Sequence, residues 1–98
     1  MTPDRAAGVG VRLPLPAELY EERLHGFAIR VRPIAIRGAS GQWWEWSAMR
    51  RGLVRAGAAL PPGMHLMYDS ADVRCGFAEA LRMARKAAER MARKAGWV

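Results

Sequence analysis

Histidine, cysteine and glycine are the residue types in this sequence that could carry catalysis or hold a cofactor. His25 and His65 stand far apart and lack the cysteine or carboxylate spacing of a metal site, so we interpret both as structural residues. Cys75 lies near a predicted helix start, where the dipole favours a thiolate, but no histidine motif supports a nucleophile. The glycines in 8–10 and 38–41 lack the strand and helix context of a phosphate-binding loop. These patterns predict no catalytic residues, no metal and no cofactor, and therefore a protein that is not an enzyme.

Arginine is the residue type that points most directly to a function. The chain holds sixteen basic and nine acidic residues, and its net charge of +7 and isoelectric point near 11.0 favour an anionic partner. Alternation places Arg30, Arg32 and Arg37 on the solvent face of a predicted strand. The next predicted turn and strand add Arg50, Arg51 and Arg55, which gives one broad basic surface with Trp43 on it. Such a surface can bind phosphates by charge and stack a base on the indole. The alternative is a solvated face on which arginine stems half cover Trp43.

The longest periodic segment, residues 70–95, is predicted to form an amphipathic helix. At 100° per residue, its apolar side chains gather into one stripe: Val73, Phe77, Ala80, Leu81, Ala84, Ala87, Ala88, Met91 and Ala95. Asp69 and Ser70 are expected to cap its start, and Gly96 to end it in the left-handed conformation. Gly76 is unfavourable inside a helix. The many alanines on the stripe predict close packing against a sheet.

Upstream of the helix the apolar period changes to two, which predicts strands. Residues 27–31 alternate apolar and basic side chains, and a bulge at Pro33 would return Ile34 and Ile36 to the apolar face. A hairpin loop is expected at residues 38–41 because of their glycine and serine content.

The tryptophan-rich residues 42–49 predict the next strand. Trp44 and Trp46 are expected to face the helix, and Trp43 the outer side. Residues 50–52 are interpreted as a turn.

Two further strands are predicted before the helix. A weaker strand is expected at residues 53–58, and a turn at residues 61–63 precedes a short strand at residues 64–68. We interpret Met64 and Met67 as core-filling residues.

The predicted fold is α+β. A three- or four-stranded antiparallel β-meander packs on one long C-terminal helix, within a single domain at residues 17–98. Residues 1–16 are expected to form a flexible arm, with a short edge strand around Leu13. Residues 17–24 predict one or two helical turns.

Composition also indicates in which cellular compartment the protein is expected. A lone cysteine fits a reducing cytoplasm, and no apolar run has the length of a membrane span or the character of a signal peptide. The excess of arginine over lysine indicates a GC-rich bacterial genome. We therefore expect a cytoplasmic bacterial protein without a membrane partner, either a monomer or a homodimer.

The order of elements resembles that of many short proteins of phages and other bacterial mobile elements. The features that carry the resemblance are the Trp-x-Trp strand, the following turn, an aromatic strand that ends in Asp69 and Ser70, and the alanine-rich helix. The resemblance implies nucleic-acid binding or interference with a host protein rather than metabolism. Our first hypothesis is a small basic protein that binds DNA or RNA through the arginine-rich sheet face. The alternative is an inhibitor or adaptor that binds a host protein, such as a defence-system component, through Trp43 and the same arginines.

Overall fold

An antiparallel sheet covered on one face by a C-terminal helix makes up the fold, which is α+β as predicted. The structure is a computed structural model that describes residues 4–5, 12–14 and 19–98. Its elements are β1 (Asp4–Arg5), β2 (Arg12–Pro14), β3 (Tyr20–Leu24), β4 (Phe27–Ile36), β5 (Trp43–Val54), β6 (Gly63–Arg74) and α1 (Phe77–Ala95). Most of the predicted arm at residues 1–16 lies outside the described residues.

The strands from β3 to β6 form a four-stranded meander in which each strand pairs with the next. The two short strands extend its borders: β2 pairs with β4 beside β3, and β1 pairs with the C-terminal end of β6. The short strand expected around Leu13 is therefore present as β2. We call the side of the sheet that α1 covers the helix face, and the opposite side the outer face.

The predicted helical turns at residues 17–24 are wrong, because β3 occupies most of this segment. Leu24 pairs directly with Phe27, so that His25 and Gly26 alone form the turn between β3 and β4. Both turn residues have positive φ angles, 51° and 77°, as a two-residue hairpin of type I′ requires. The β3 side chains alternate between the two faces, which a short sequence rich in glutamate does not reveal.

β5 and β6 are both longer than predicted. The expected turn at residues 50–52 is absent, since these residues pair with β6 inside the continuous strand β5. The predicted strand at residues 53–58 contributes only its first two residues to β5. Likewise, the chain stays extended from Gly63 to Arg74 because every residue of that segment has a partner on β5.

The helix consequently begins at Phe77 rather than at residue 70. Asp69 and Ser70 do not cap it, and Gly76 is its N-cap residue instead of an interior one. Val73 is buried in the core, but from β6 and not from the helix. At the other end, Gly96 has a φ of 74°, which confirms the predicted left-handed termination.

The core lies between the alanine stripe of α1 and the helix face of β4, β5 and β6. From Ala80 onward, the predicted stripe residues are all buried. Those up to Met91 belong to one cluster with Phe27, Ile29, Val31 and Trp46. Trp44 faces the same side, and its ring meets that of Phe77 edge-on at 5.4 Å. The inward orientation predicted for Trp44 and Trp46 is confirmed.

The bulge predicted at Pro33 is absent. β4 and β5 pair without interruption, so strict alternation sends Ile34 and Ile36 to the outer face. There they form a second, smaller apolar cluster with Trp43.

Candidate binding surface on the outer face

The predicted arginine surface does not exist as one basic patch, because its central members are paired with acids. The Arg30 Nε lies 3.1 Å from Glu21 Oε1 on β3. The Arg32 Nε donates a hydrogen bond of 2.7 Å to Glu45 Oε1 on β5. These cross-strand pairs neutralise the middle of the outer face. Sequence reasoning missed the pair with Glu21 because it did not predict β3, and the pair with Glu45 because it did not predict the register between β4 and β5.

Trp43 lies on the outer face as predicted, but it is not available to a partner. Only 4% of its surface is exposed, and it packs against Ile34 and Ile36. Its Nε1 donates a hydrogen bond of 3.0 Å to the Ser40 carbonyl oxygen. The prediction of an exposed, stacking Trp43 is therefore wrong.

Arg50 belongs to the helix face and has a structural role. Its guanidinium carbon lies 4.2 Å from the centre of the Trp97 ring, and its Nη1 donates a hydrogen bond of 2.7 Å to the His25 carbonyl oxygen. Arg50 thereby ties the β3–β4 hairpin to the C-terminal end of the chain. Its placement on the outer surface was an error, because residues 50–52 lie in a strand and not in a turn.

The three remaining predicted residues are exposed, but they do not lie together. Arg37 follows β4, whereas Arg51 and Arg55 lie at the opposite end of β5. None of the three forms a salt bridge with a described residue. Arg51 alone projects from the outer face within a strand, since it pairs with Leu66.

The end of the outer face around Arg51 is apolar, and the sequence analysis did not identify it. Three adjacent cross-strand rows, Met49 with Tyr68, Arg51 with Leu66 and Leu53 with Met64, run across β5 and β6. The five apolar side chains in these rows are 43–65% exposed, and we call them the outer patch: Met49, Leu53, Met64, Leu66 and Tyr68.

The sequence signal for the outer patch was ambiguous. β6 carries apolar residues on both faces, so its alternation does not indicate which face is covered. Met67 packs against the core as expected, but Met64 is exposed. The core-filling interpretation of Met64 is therefore wrong.

Basic residues border the outer patch. A groove of about 410 Å³ runs beside it and is lined by Met49 and Leu66 as well as by Arg23, Arg30 and Arg51. The rows that contain the outer patch hold no acidic residue in the described part of the chain. This end of the sheet is thus an apolar surface with a positive border.

Salt bridges on the helix surface tie α1 to the sheet. Arg90 bonds Asp69 of β6 at 2.8 Å, and both Nε and Nη2 of Arg85 donate bonds of 2.6 Å to Glu22 of β3. These bonds from Arg85 lower the pKa of Glu22. The Tyr20 hydroxyl donates to the same carboxylate at 2.6 Å, and that bond raises the pKa of Tyr20.

The residues first considered for catalysis have structural surroundings. The Nε2 of His65 lies 2.8 Å from the Pro61 carbonyl oxygen and donates to it. Burial raises the pKa of the Cys75 thiol and the Glu79 carboxylate raises it further, which disfavours the thiolate. No cluster of three potential metal-ligating side chains lies within the part of the chain that the structure describes.

No protein-family model matches the chain, and no curated protein or solved structure is significantly similar to it. Among residues 19–98, α1 is the only helix, and its charged residues make it unable to cross a bilayer.

Proposed function

We propose that this protein is a small binding protein that attaches to a larger protein through the outer patch. The exposure of five large apolar side chains in three adjacent rows supports this proposal. Contiguous apolar patches beyond a few hundred Å² are rare on soluble monomers and mark interaction sites. The same end of the sheet offers an aromatic side chain and an arginine, Tyr68 and Arg51, residue types that are enriched where proteins bind one another.

The charges around the outer patch define the partner surface. Arg51 lies inside the patch and Arg23 lines the groove beside it, and neither forms a salt bridge with a described residue. A complementary surface has an apolar centre with acidic residues at its border. This proposal develops the inhibitor or adaptor hypothesis, with the outer patch in place of Trp43.

Nucleic-acid binding is the second candidate, and the exposed Tyr68 beside Arg51 favours it. Aromatic side chains on a basic sheet face can stack unpaired bases, and the net charge of +7 attracts phosphates. It ranks second because Trp43 is buried, Arg30 and Arg32 are paired with acids, and aliphatic side chains dominate the outer patch.

Affinity capture with matched variants tests the proposal. Leu66→Glu places a carboxylate in the outer patch, whereas Val98→Glu places one at an equally exposed apolar residue near the C-terminus. We expect both variants to melt like the wild type. From nuclease-treated lysate of the host cell, Leu66→Glu should capture at least about tenfold less of the partner protein, because a buried unpaired charge opposes association.

Two results would contradict the proposal. Equal capture by the wild type and Leu66→Glu would show that the outer patch is not the contact. Binding of the wild type to short single-stranded DNA that weakens linearly with the logarithm of salt concentration, with no captured protein, would favour the nucleic-acid candidate.

A further inference from the structure

Beside the outer patch, the edge of β6 that faces away from β5 has no partner strand among residues 19–98. β5 pairs with all twelve residues of β6 on one side, but on the other side only Val73 and Arg74 have a partner strand among the described residues. Proteins usually protect such an edge with charges, proline or a bulge. Residues 63–68 contain no lysine, arginine, acid or proline, and their register with β5 is unbroken. Among the described residues, no strand pairs with the main-chain groups of this segment on that side.

The two sides of this open edge differ in chemistry. On the outer face, β6 presents Met64, Leu66 and Tyr68, which are exposed and apolar. On the helix face, the salt bridge between Arg90 and Asp69 holds one side of α1 above β6.

That side of α1 is basic. Lys86 and Lys94 lie one helical turn before and after Arg90, so all three project from the same side of α1. Both lysines are exposed, and neither forms a salt bridge with a described residue. A shallow groove of about 530 Å³ lies between this row and Ala59, in the loop before β6. Its lining also includes Glu89, whose carboxylate forms a salt bridge with Arg93.

We propose that the open edge of β6 accepts an extended segment of the partner protein as an additional strand. This inference rests on the proposed function and specifies how the partner is recognised. The main chain of the segment pairs with residues 63–70, and its side chains alternate between acidic residues beside Lys86 and Lys94 and apolar residues beside the outer patch. Main-chain hydrogen bonds provide affinity in this mode, and the alternating side chains provide specificity.

Charge complementarity selects this occupant over a second copy of the chain. If two β6 edges paired around a two-fold axis, the helices would lie on the same side of the joined sheet and their basic rows would face one another. On its helix face, this part of β6 contributes His65, Met67 and Asp69, and the carboxylate of Asp69 is already paired with Arg90. An acidic segment supplies the charge that a second copy lacks.

A selection from a display library of random twelve-residue peptides tests the inference with the intact protein. The expected result is enrichment of peptides that alternate acidic and apolar residues. Lys94→Glu should weaken their binding about fivefold because it reverses a charge in the basic row. Arg37→Glu changes the net charge equally at a site remote from residues 63–70 and should leave the affinity unchanged.

Main-chain pairing is tested separately with the selected peptides. A strand pairs through alternate residues, so methylation of the backbone nitrogens of one alternate set should weaken binding at least tenfold, and methylation of the other set should not. Bound peptide should also slow hydrogen exchange at amides within residues 63–70.

The outcomes separate this inference from the proposed function. If the selected peptides bind without exchange protection and both methylated sets bind equally, strand addition is wrong. The proposed function still stands in that case, provided that Leu66→Glu abolishes binding. If no alternating peptide is enriched, strand addition is overturned. The affinity-capture experiment then tests by itself whether the outer patch binds a partner protein. A dimer in sedimentation whose β6 amides are already protected would overturn the inference in favour of a second copy.

Discussion

Replacing Gly52 with alanine should destabilise the protein because Trp97 packs directly on this glycine. An added Cβ would lie 2.7 Å from Cζ2 of the Trp97 ring and 3.1 Å from Cε2. Carbon atoms normally approach to about 3.5–4.0 Å, so the ring must move by roughly 1 Å. Its position is fixed by a hydrogen bond of 2.8 Å from Trp97 Nε1 to the Leu53 carbonyl oxygen and by the Arg50 guanidinium above the ring.

Two opposing effects determine the size of the change. Overpacking of this kind costs about 1–3 kcal/mol of unfolding free energy. Alanine is favoured over glycine within a strand by about 0.5–1 kcal/mol, because glycine loses more backbone entropy on folding. We therefore expect Gly52→Ala to lower the unfolding free energy by about 1–2 kcal/mol.

The effect of Gly52→Ala on the unfolding free energy should change sign when the Trp97 ring is removed. In a Trp97→Ala background, the three atoms nearest to the new Cβ are gone, and Gly52→Ala should stabilise the protein by up to about 1 kcal/mol. Urea unfolding of the four proteins in this cycle, followed by far-ultraviolet circular dichroism, measures the coupling, which we expect to be about 2 kcal/mol. Circular dichroism is the suitable probe because removal of a tryptophan alters fluorescence. Equal effects of Gly52→Ala in both backgrounds would refute the packing of Trp97 on Gly52.

Three further substitutions test other parts of the structure. Ala84 is fully buried between α1 and the sheet, so Ala84→Glu should reduce the unfolding free energy by several kcal/mol. Lys86 is exposed, so Lys86→Glu should not do so. Similar melting temperatures of the two variants would contradict the described helix packing. Trp43→Ala should destabilise the protein by about 3–5 kcal/mol because this side chain is buried, and an unchanged melting temperature would mean that Trp43 is exposed after all. Hydrogen bonds from Arg85 lower the pKa of Glu22 from its ordinary value of 4.5. The ionised carboxylate of Glu22 therefore contributes fully to the unfolding free energy above pH 4.5, and this contribution is lost as the pH falls through the lowered pKa. The difference in melting temperature between the wild type and Glu22→Gln should therefore shrink on acidification below pH 4.5, and a difference that is constant with pH would exclude this linkage.

The interaction of Arg85 with Glu22 shows what a helical pattern alone cannot provide. The helical period places Arg85 on the face of α1 opposite the alanine stripe, which is the pattern of a solvent-facing residue. Its partner lies sixty-three residues earlier in the chain, in a strand that the sequence did not indicate. Reversal of its charge, Arg85→Glu, would place two carboxylates together, so this substitution should destabilise the protein although Arg85 is exposed.

The amino-acid sequence by itself determined the elements whose pattern is local. The alanine stripe of α1 and the alternation of residues 27–31 specify an amphipathic helix and a half-buried strand, because side-chain periods of 3.6 and 2 follow from backbone geometry. The left-handed end of α1 at Gly96 is local as well, since glycine adopts this conformation without strain.

Tertiary structure alone decided where the strands ended and which of their faces became covered. Val73 and Phe77 are four residues apart and fit one helical stripe, but pairing with β5 keeps Val73 in a strand. An apolar period of two shows which side chains of a strand share a face. It does not show which other part of the chain covers that face. Trp43 is therefore buried with residues of β4, while Tyr68, another aromatic residue of the same face, remains exposed. Burial depends on residues distant in the sequence, so only the folded chain could place the candidate surface at the outer patch.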